Sequence, residues 1–207
     1  MINTSASFLY TQKTNKKQLY NIMPIDNIPS VIQHGILSYN AACNISHKTV
    51  AMNEIQERRE RVVVTGGLRL HDYANLYFAF DNPMMYKRRS EASELCILAV
   101  SPAVMDIEGC VVSDMNASKD LVRFFDPYSG IEQIKFENVF SRYWTNHENL
   151  FDYEMHKAQK CAEVLIPHCI DYSYVTGACV KDEQAKQRMI GLGFNKSIII
   201  KPENFYA

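Results

Sequence analysis

The chain has 207 residues, 47% hydrophobic and 22% charged, with a formal net charge of −1. That balance suits an ordinary soluble globular protein of one large domain, able to bury about 70% of its unfolded surface. It excludes a generally basic nucleic-acid coat, though not a local basic groove. The six cysteines form no C-x-x-C pair, and most lie in apolar runs such as Leu95-Cys96-Ile97-Leu98. They are expected to be reduced core thiols in a reducing compartment. The six histidines are scattered, so no zinc site is expected. The first 17 residues lack an apolar signal core, and no stretch approaches the ~20 apolar residues of a membrane span. The expectation is a cytoplasmic protein without a membrane partner and without a metal.

Residues 1–17, polar and rich in Ser, Thr, Asn and Lys, read as a flexible arm, leaving 18–207 as a single domain. Leu19–Met23 reads as a strand. Asp26 can cap a helix over 27–34, with Ile28, Val31 and Ile32 on one face and Gly35 ending it. Residues 38–50 have no period and read as a covering loop. Residues 52–61 read as a charged helix laced by i,i+4 pairs. Gly66-Gly67 is a turn or, as a weaker signal, a phosphate cradle. Leu76–Phe80 reads as a strand. Asn82-Pro83 is a strong helix start. Glu94–Val100 reads as another strand, Ser101-Pro102 as a helical turn and Val111-Val112 as a short strand. Residues 116–123 and 136–143 look helical, whereas 145–157 looks irregular. Val164–Ile166 reads as a buried strand with Glu163 at its entry; Tyr172–Val175, a helix over 182–190 and a terminal strand over 197–200 follow. Strands alternating irregularly with short helices predict an α+β fold.

No Walker loop, G-x-G-x-x-G or G-x-S-x-G is present. Three concentrations of side chains stand out instead. The first is an aromatic and methionine block, His71-Asp72-Tyr73 through Tyr77-Phe78 to Met84-Met85-Tyr86, which serves either as core or as stacking faces for a planar ligand. The second is a pair of basic clusters, Arg58-Arg59-x-Arg61 and Lys87-Arg88-Arg89. Each alone is an ordinary solvated face; together they outline a phosphate-binding groove. The third is Glu163, which shares its parity with Leu165 and faces away from Val164 and Ile166. By spacing alone it reads first as an ordinary strand-entry charge.

These stretches resemble the DarT family of toxin ADP-ribosyltransferases that modify DNA bases. The resemblance is carried by Leu19-Tyr20-Asn21-Ile22-Met23-Pro24 with the following Asp26-Asn27-Ile28-Pro29, by Ile55-Gln56-Glu57-Arg58-Arg59, by the His71–Tyr86 block, by Arg142-Tyr143-Trp144, and by 157–167 with Ala162-Glu163. It spans roughly residues 18–170 and implies an ADP-ribosyltransferase-like fold, a split mixed sheet with short flanking helices and an NAD cleft. Glu163 matches the family's catalytic glutamate and Arg59, or as the second choice Arg58, its catalytic arginine. Asn21, Met23, Asn27, Tyr73, Tyr77 and Met84 are then expected at NAD, which is the substrate. Arg58, His71, Tyr86, Lys87, Arg88 and Arg89 are expected at single-stranded DNA. Where many members have a histidine and a threonine in the first strand, this chain has Asn21 and Met23-Pro24, which changes how the adenosine end is held. The wording around Asn75–Phe80 and Asn82–Lys87 is closer to the guanine-modifying branch than to the thymine-modifying one. The family also implies a cognate antitoxin, either a masking protein or a hydrolase of the mark. Transfer to RNA or protein, and a catalytically silent binding module, are the alternatives.

Overall fold

A computed structural model describes residues 5–48, 53–145 and 148–206. The expected helix start at Met52, the end of the 38–50 loop and two residues of the 145–157 segment lie outside those described. The first element departs from expectation. Residues 6–14 form helix α1 (Ala6–Thr14), with Ser5 capping the Phe8 amide at 3.3 Å. Its Tyr10 is fully buried and packs on Phe78 and Phe136, with ring centroids 5.5 and 5.8 Å away. The arm reading fails there because the apolar residues of this helix, Ala6, Phe8, Leu9 and Tyr10, form no periodic stripe, and tertiary packing holds it.

Strand β1 (Leu19–Pro24) leads into α2 (Ile28–His34), which Gly35 ends at φ 79° as expected. Asp26 does not cap α2; its carboxylate binds Lys48 and Arg188 instead. The short β2 (Ile36–Leu37) and α3 (Tyr39–Ala42) interrupt the expected loop, and α4 (Asn53–Arg61) is the charged helix. Gly66-Gly67 is a turn, and a Cβ on Gly67 would lie 2.5 Å from the Tyr73 hydroxyl. Strand β3 (Tyr73–Tyr77) begins three residues earlier than its apolar run suggests, and α5 (Pro83–Lys87) starts as predicted, with Asn82 accepting from the Met85 amide at 3.1 Å. Then come β4 (Leu95–Val100), a 3-10 turn over Pro102–Asp106, β5 (Val111–Ser113) and β6 (Phe124–Phe125).

Residues 116–123 are not helical. The side chains of Asp114 and Asn116 take backbone donors at Arg123 and Ser118, so turns replace the helix. The chain continues through α6 (Pro127–Gln133) and α7 (Phe136–Val139) to α8 (Leu150–Gln159). The last occupies most of the stretch expected to be irregular; the overlooked signal is Asn149, whose side chain caps the Asp152 amide at 2.8 Å. Strands β7 (Glu163–Pro167), β8 (Cys169–Ile170) and β9 (Val175–Val180), helix α9 (Glu183–Gly191) and β10 (Ser197–Ile200) complete the chain.

Eight strands form one mixed sheet in the order β10-β9-β4-β1-β3-β7-β5-β6, in which only β10 and β9 run parallel. β4 is buried along its whole length because both faces are covered: Cys96, Leu98 and Val100 belong to the main core, Leu95 and Ile97 to a second cluster with Met85 and Phe205. β1 pairs with β4 at six positions, Leu19↔Val100 to Pro24↔Leu95, but is registered to β3 only at Tyr20↔Tyr77. β3 then pairs with β7 from Tyr73↔Pro167 to Tyr77↔Glu163. The sheet is therefore split between β1 and β3. The Asn21 amide bridges the split, donating to the Asn75 carbonyl at 3.0 Å. This is the α+β, split mixed sheet with short flanking helices that the sequence implied.

Candidate active site

Strand alternation decides where Glu163 points. Val164 and Ile166 enter the main core, whereas Leu165 packs with Tyr73 and Ala117 on the other face, and Glu163 shares that parity. Glu163 has no exposed surface, and a carboxylate there needs partners. It accepts three hydrogen bonds from two donor groups. Arg59 Nη1 reaches both carboxylate oxygens at 3.1 Å, and the Ala117 amide donates to Oε1 at 2.9 Å. Its own amide is held by the Ser113 hydroxyl at 3.2 Å. The turn at 116–118 thus presents the Ala117 N–H to the carboxylate.

Arg59 lies in the last turn of α4. Arg58 and Arg61, its neighbours, are exposed, but Arg59 is buried because helical phase turns it inward. Tyr77 sits opposite Glu163 in the β3–β7 register, and burial, then the Glu163 charge, holds its hydroxyl well above the ordinary phenol range.

A cleft of about 360 Å³ opens beside this pair. It is lined by Asn21 from β1, Arg58 and Arg59 from α4, Tyr77 from β3, Met84, Lys87 and Arg88 at α5, and Lys157 from α8. Seven of the residues expected from the sequence therefore meet in one place: Asn21, Arg58, Arg59, Tyr77, Met84, Lys87 and Arg88. A smaller cavity of about 120 Å³ adjoins it at Asn21 and contains Met23, Asn27 and His47. The Asn27 side chain clamps the 38–48 segment, donating to the Lys48 carbonyl at 2.7 Å and accepting its amide at 2.9 Å.

Four residues lie apart from the cleft. Tyr73 is buried, and its hydroxyl accepts the Leu68 amide at 3.1 Å, bracing the Gly66-Gly67 turn. His71 faces a separate cavity beside α4, stacked on Tyr39 at 4.2 Å; burial and the Arg59 charge hold its imidazole below the ordinary range. Tyr86 and Arg89 face a fourth cavity beyond α5.

Sequence reasoning missed Gln56, Asn75, Asn116, Ser118 and the Ala117 amide, all at or beside the cleft. Gln56 stood in a motif already quoted; the 113–118 turn carried an Asp/Asn/Ser signal misread as helix. The buried acceptors Asn21 Oδ1 and Gln56 Oε1 have no hydrogen-bond partner, although such groups are normally satisfied. Both border the cleft, which suits a polar ligand with donors reaching from the large cavity into the small one. Among the described residues, no group of three or more His, Cys, Asp or Glu is placed to hold a metal ion, and no helix is long and apolar enough to cross a membrane.

Comparison with known proteins bears on the family and the fold. A family model for "ssDNA thymidine ADP-ribosyltransferase, DarT" matches residues 20–207. A DNA ADP-ribosyl transferase–DNA ADP-ribosyl glycohydrolase fusion protein of Thermosipho africanus is 29% identical over 90% of this chain, which spans 48% of the fusion. A DNA ADP-ribosyl transferase of Thermus sp. strain 2.9 is 26% identical, covering 83% of this chain and 85% of that one. The solved Thermosipho africanus DarTG in complex with ADP-ribose superposes with a TM-score of 0.77 at 27% identity, over 92% of this chain and 51% of that chain. Thermus sp. 2.9 DarT in complex with ADP-ribosylated single-stranded DNA has the same fold, with a TM-score of 0.80 at 22% identity over 93% and 97% of the two chains. With a match across nine-tenths of its length, a split sheet and a buried Arg–Glu pair beside the cleft, the chain belongs to the DarT family.

Proposed function

We propose that this protein is a mono-ADP-ribosyltransferase that moves ADP-ribose from NAD to a base in single-stranded DNA. The observation that carries the reading is the Arg59–Glu163 pair, a buried carboxylate held by an arginine that lines a cleft with unsatisfied polar atoms. As the bond between nicotinamide and the ribose anomeric carbon breaks, its electrons leave with nicotinamide and positive charge builds on the ribose. A preorganised carboxylate stabilises that charge, and it accepts the proton released when a base nitrogen forms the new bond. A carboxylate without exposed surface cannot touch a ribose, so the pair opens when NAD enters. Arg59 is the partner that moves, because its fork accepts a phosphate as readily as a carboxylate.

Asn21 and Met84 border the donor, with Met23 and Asn27 toward its adenosine end in the small cavity. Arg58, Lys87 and Arg88 line the same cleft as cationic contacts for the DNA backbone. The target base has to leave its stack to reach the cleft, so single strands are the substrate. Guanine is the acceptor we favour, on the wording of the 75–87 block, although the family model is described by thymidine. The antitoxin is a hydrolase of the mark, a reading supported by the glycohydrolase fused in the Thermosipho relative.

The test is to incubate the protein with NAD and single-stranded oligonucleotides, each carrying one kind of acceptor base, and to weigh the products. A gain of one ADP-ribose on guanine is expected. The same gain on thymine alone would overturn the base assignment, and no gain on any oligonucleotide would overturn the DNA reading.

A further inference from the structure

We propose a second nucleotide subsite beside the catalytic cleft, in which a base flanking the acceptor stacks on Tyr143 and its phosphate meets Arg142. The proposal rests on the DNA-transferase reading above and adds a site outside the cleft. Arg142-Tyr143-Trp144 takes no part in the Arg59–Glu163 centre, yet it lines a separate groove of about 980 Å³ with Tyr86, Arg89 and Tyr206.

Three rings give this groove its shape. Tyr86, Trp144 and Tyr206 pack edge to face, with centroids 5.9 Å (Tyr86–Trp144), 5.3 Å (Tyr86–Tyr206) and 6.1 Å (Trp144–Tyr206) apart. Trp144 is the buried member and anchors the cluster, whereas Tyr86 is 45% exposed and the adjoining Tyr143 60%. Exposed rings on a rigid support are stacking platforms. Cations sit directly on them: the Arg89 guanidinium lies 4.2 Å from the Tyr86 ring centre and that of Arg142 lies 5.4 Å from the Tyr143 centre.

The occupant follows from charge and continuity. Among the described residues, neither Lys87 nor Arg142 enters an ion pair, so both charges are available to an anion. Of the two acids in the groove, Asp81 is turned to the buried Lys160 at 3.0 Å, which leaves Glu203 at the rim. Pro83, Lys87 and Lys157 line both this groove and the catalytic cleft, so a strand leaving one enters the other. Alternating rings and cations along a continuous path fit a single strand with its bases unstacked, whose phosphates and π-faces repeat along the chain. A duplex hides those faces.

The experiment compares kcat/KM for an oligonucleotide of about ten nucleotides, within the span of a stacking groove, with kcat/KM for the matching mononucleotide. The longer substrate is expected to be preferred. In the double variant R142A/Y143A, at two exposed positions, the preference should narrow about tenfold, the scale of one lost base–aromatic stack. Tyr143→Phe, which keeps the ring, should retain the parent preference. A parent-like preference in R142A/Y143A would overturn the subsite while leaving the transferase reading intact. ADP-ribose on neither substrate would overturn the transferase reading, and the subsite with it.

Discussion

The two halves of the sheet are built from similar residues but do different work. On one side of the split, β1, β4 and β9 are joined by long registers, and their side chains are almost entirely apolar and buried. On the other, β3 and β7 are registered equally well with each other, yet Tyr77 of β3 lines the cleft and Glu163 of β7, opposite it in the register, holds the cleft-lining Arg59. Between them, β1 and β3 share only Tyr20↔Tyr77. Where strand pairing stops, backbone and side-chain groups that a continuous ladder would have satisfied become available to a ligand. The cleft is thus a consequence of interrupted pairing, and its chemistry comes from a few polar residues on β1, β3 and β7 together with Arg59 of α4.

This contrast can be broken in several ways. Glu163→Gln removes the negative charge and keeps the shape, and it should lower kcat for ADP-ribose transfer by about 10²–10³-fold, the usual scale for a transition-state charge contact. Product formation at the parent rate, read by mass, would remove Glu163 from the chemistry. Leu76→Ala in β3 and Leu98→Ala in β4, both at fully buried positions, should each cost about 2–5 kcal/mol in urea unfolding. Each should shift one cooperative transition, and a biphasic curve would mean that the split divides the sheet into independently stable halves.

A smaller effect separates the gap from the ladder. Asn21→Ala removes the side chain that bridges β1 to β3, and should weaken NAD binding about three- to tenfold by calorimetry, the worth of roughly one hydrogen bond. Thr176→Ala removes a comparable bridge on the unsplit side, Thr176 Oγ1 to the Ala99 carbonyl at 3.2 Å, and should leave NAD affinity as it was. Equal losses in the two variants would refute a ligand role specific to the gap.

The smallest expected effect is a pH dependence at His71. Burial, then the Arg59 charge, depresses its imidazole pKa in the folded chain. The unfolded chain therefore takes up a proton near its ordinary value of about 6.5 that the folded chain resists, and stability falls as pH drops below it. In His71→Gln, the urea midpoint should decline less between pH 7.5 and 5.5 than in the parent. An identical decline would place the titration elsewhere.

Much was legible without the fold. Apolar runs located β1, β4 and β10, and Asn82-Pro83 and Asp182 marked the starts of α5 and α9, because strand burial and helix capping are properties of neighbouring residues. Parity alone set Glu163 against Val164 and Ile166. Other features had no local signature. α1 depends on Tyr10 meeting Phe78 and Phe136, and the 116–118 turn depends on side chains competing with the backbone. Of the adjacent arginines in α4, only Arg59 reaches a carboxylate 104 positions away, and Tyr73 of the aromatic block braces a turn while Tyr77 faces the cleft. The sequence by itself determined the residue types and their local phase. Which of them converge was decided by tertiary structure, because convergence depends on strand order and on the place where two central strands stop pairing.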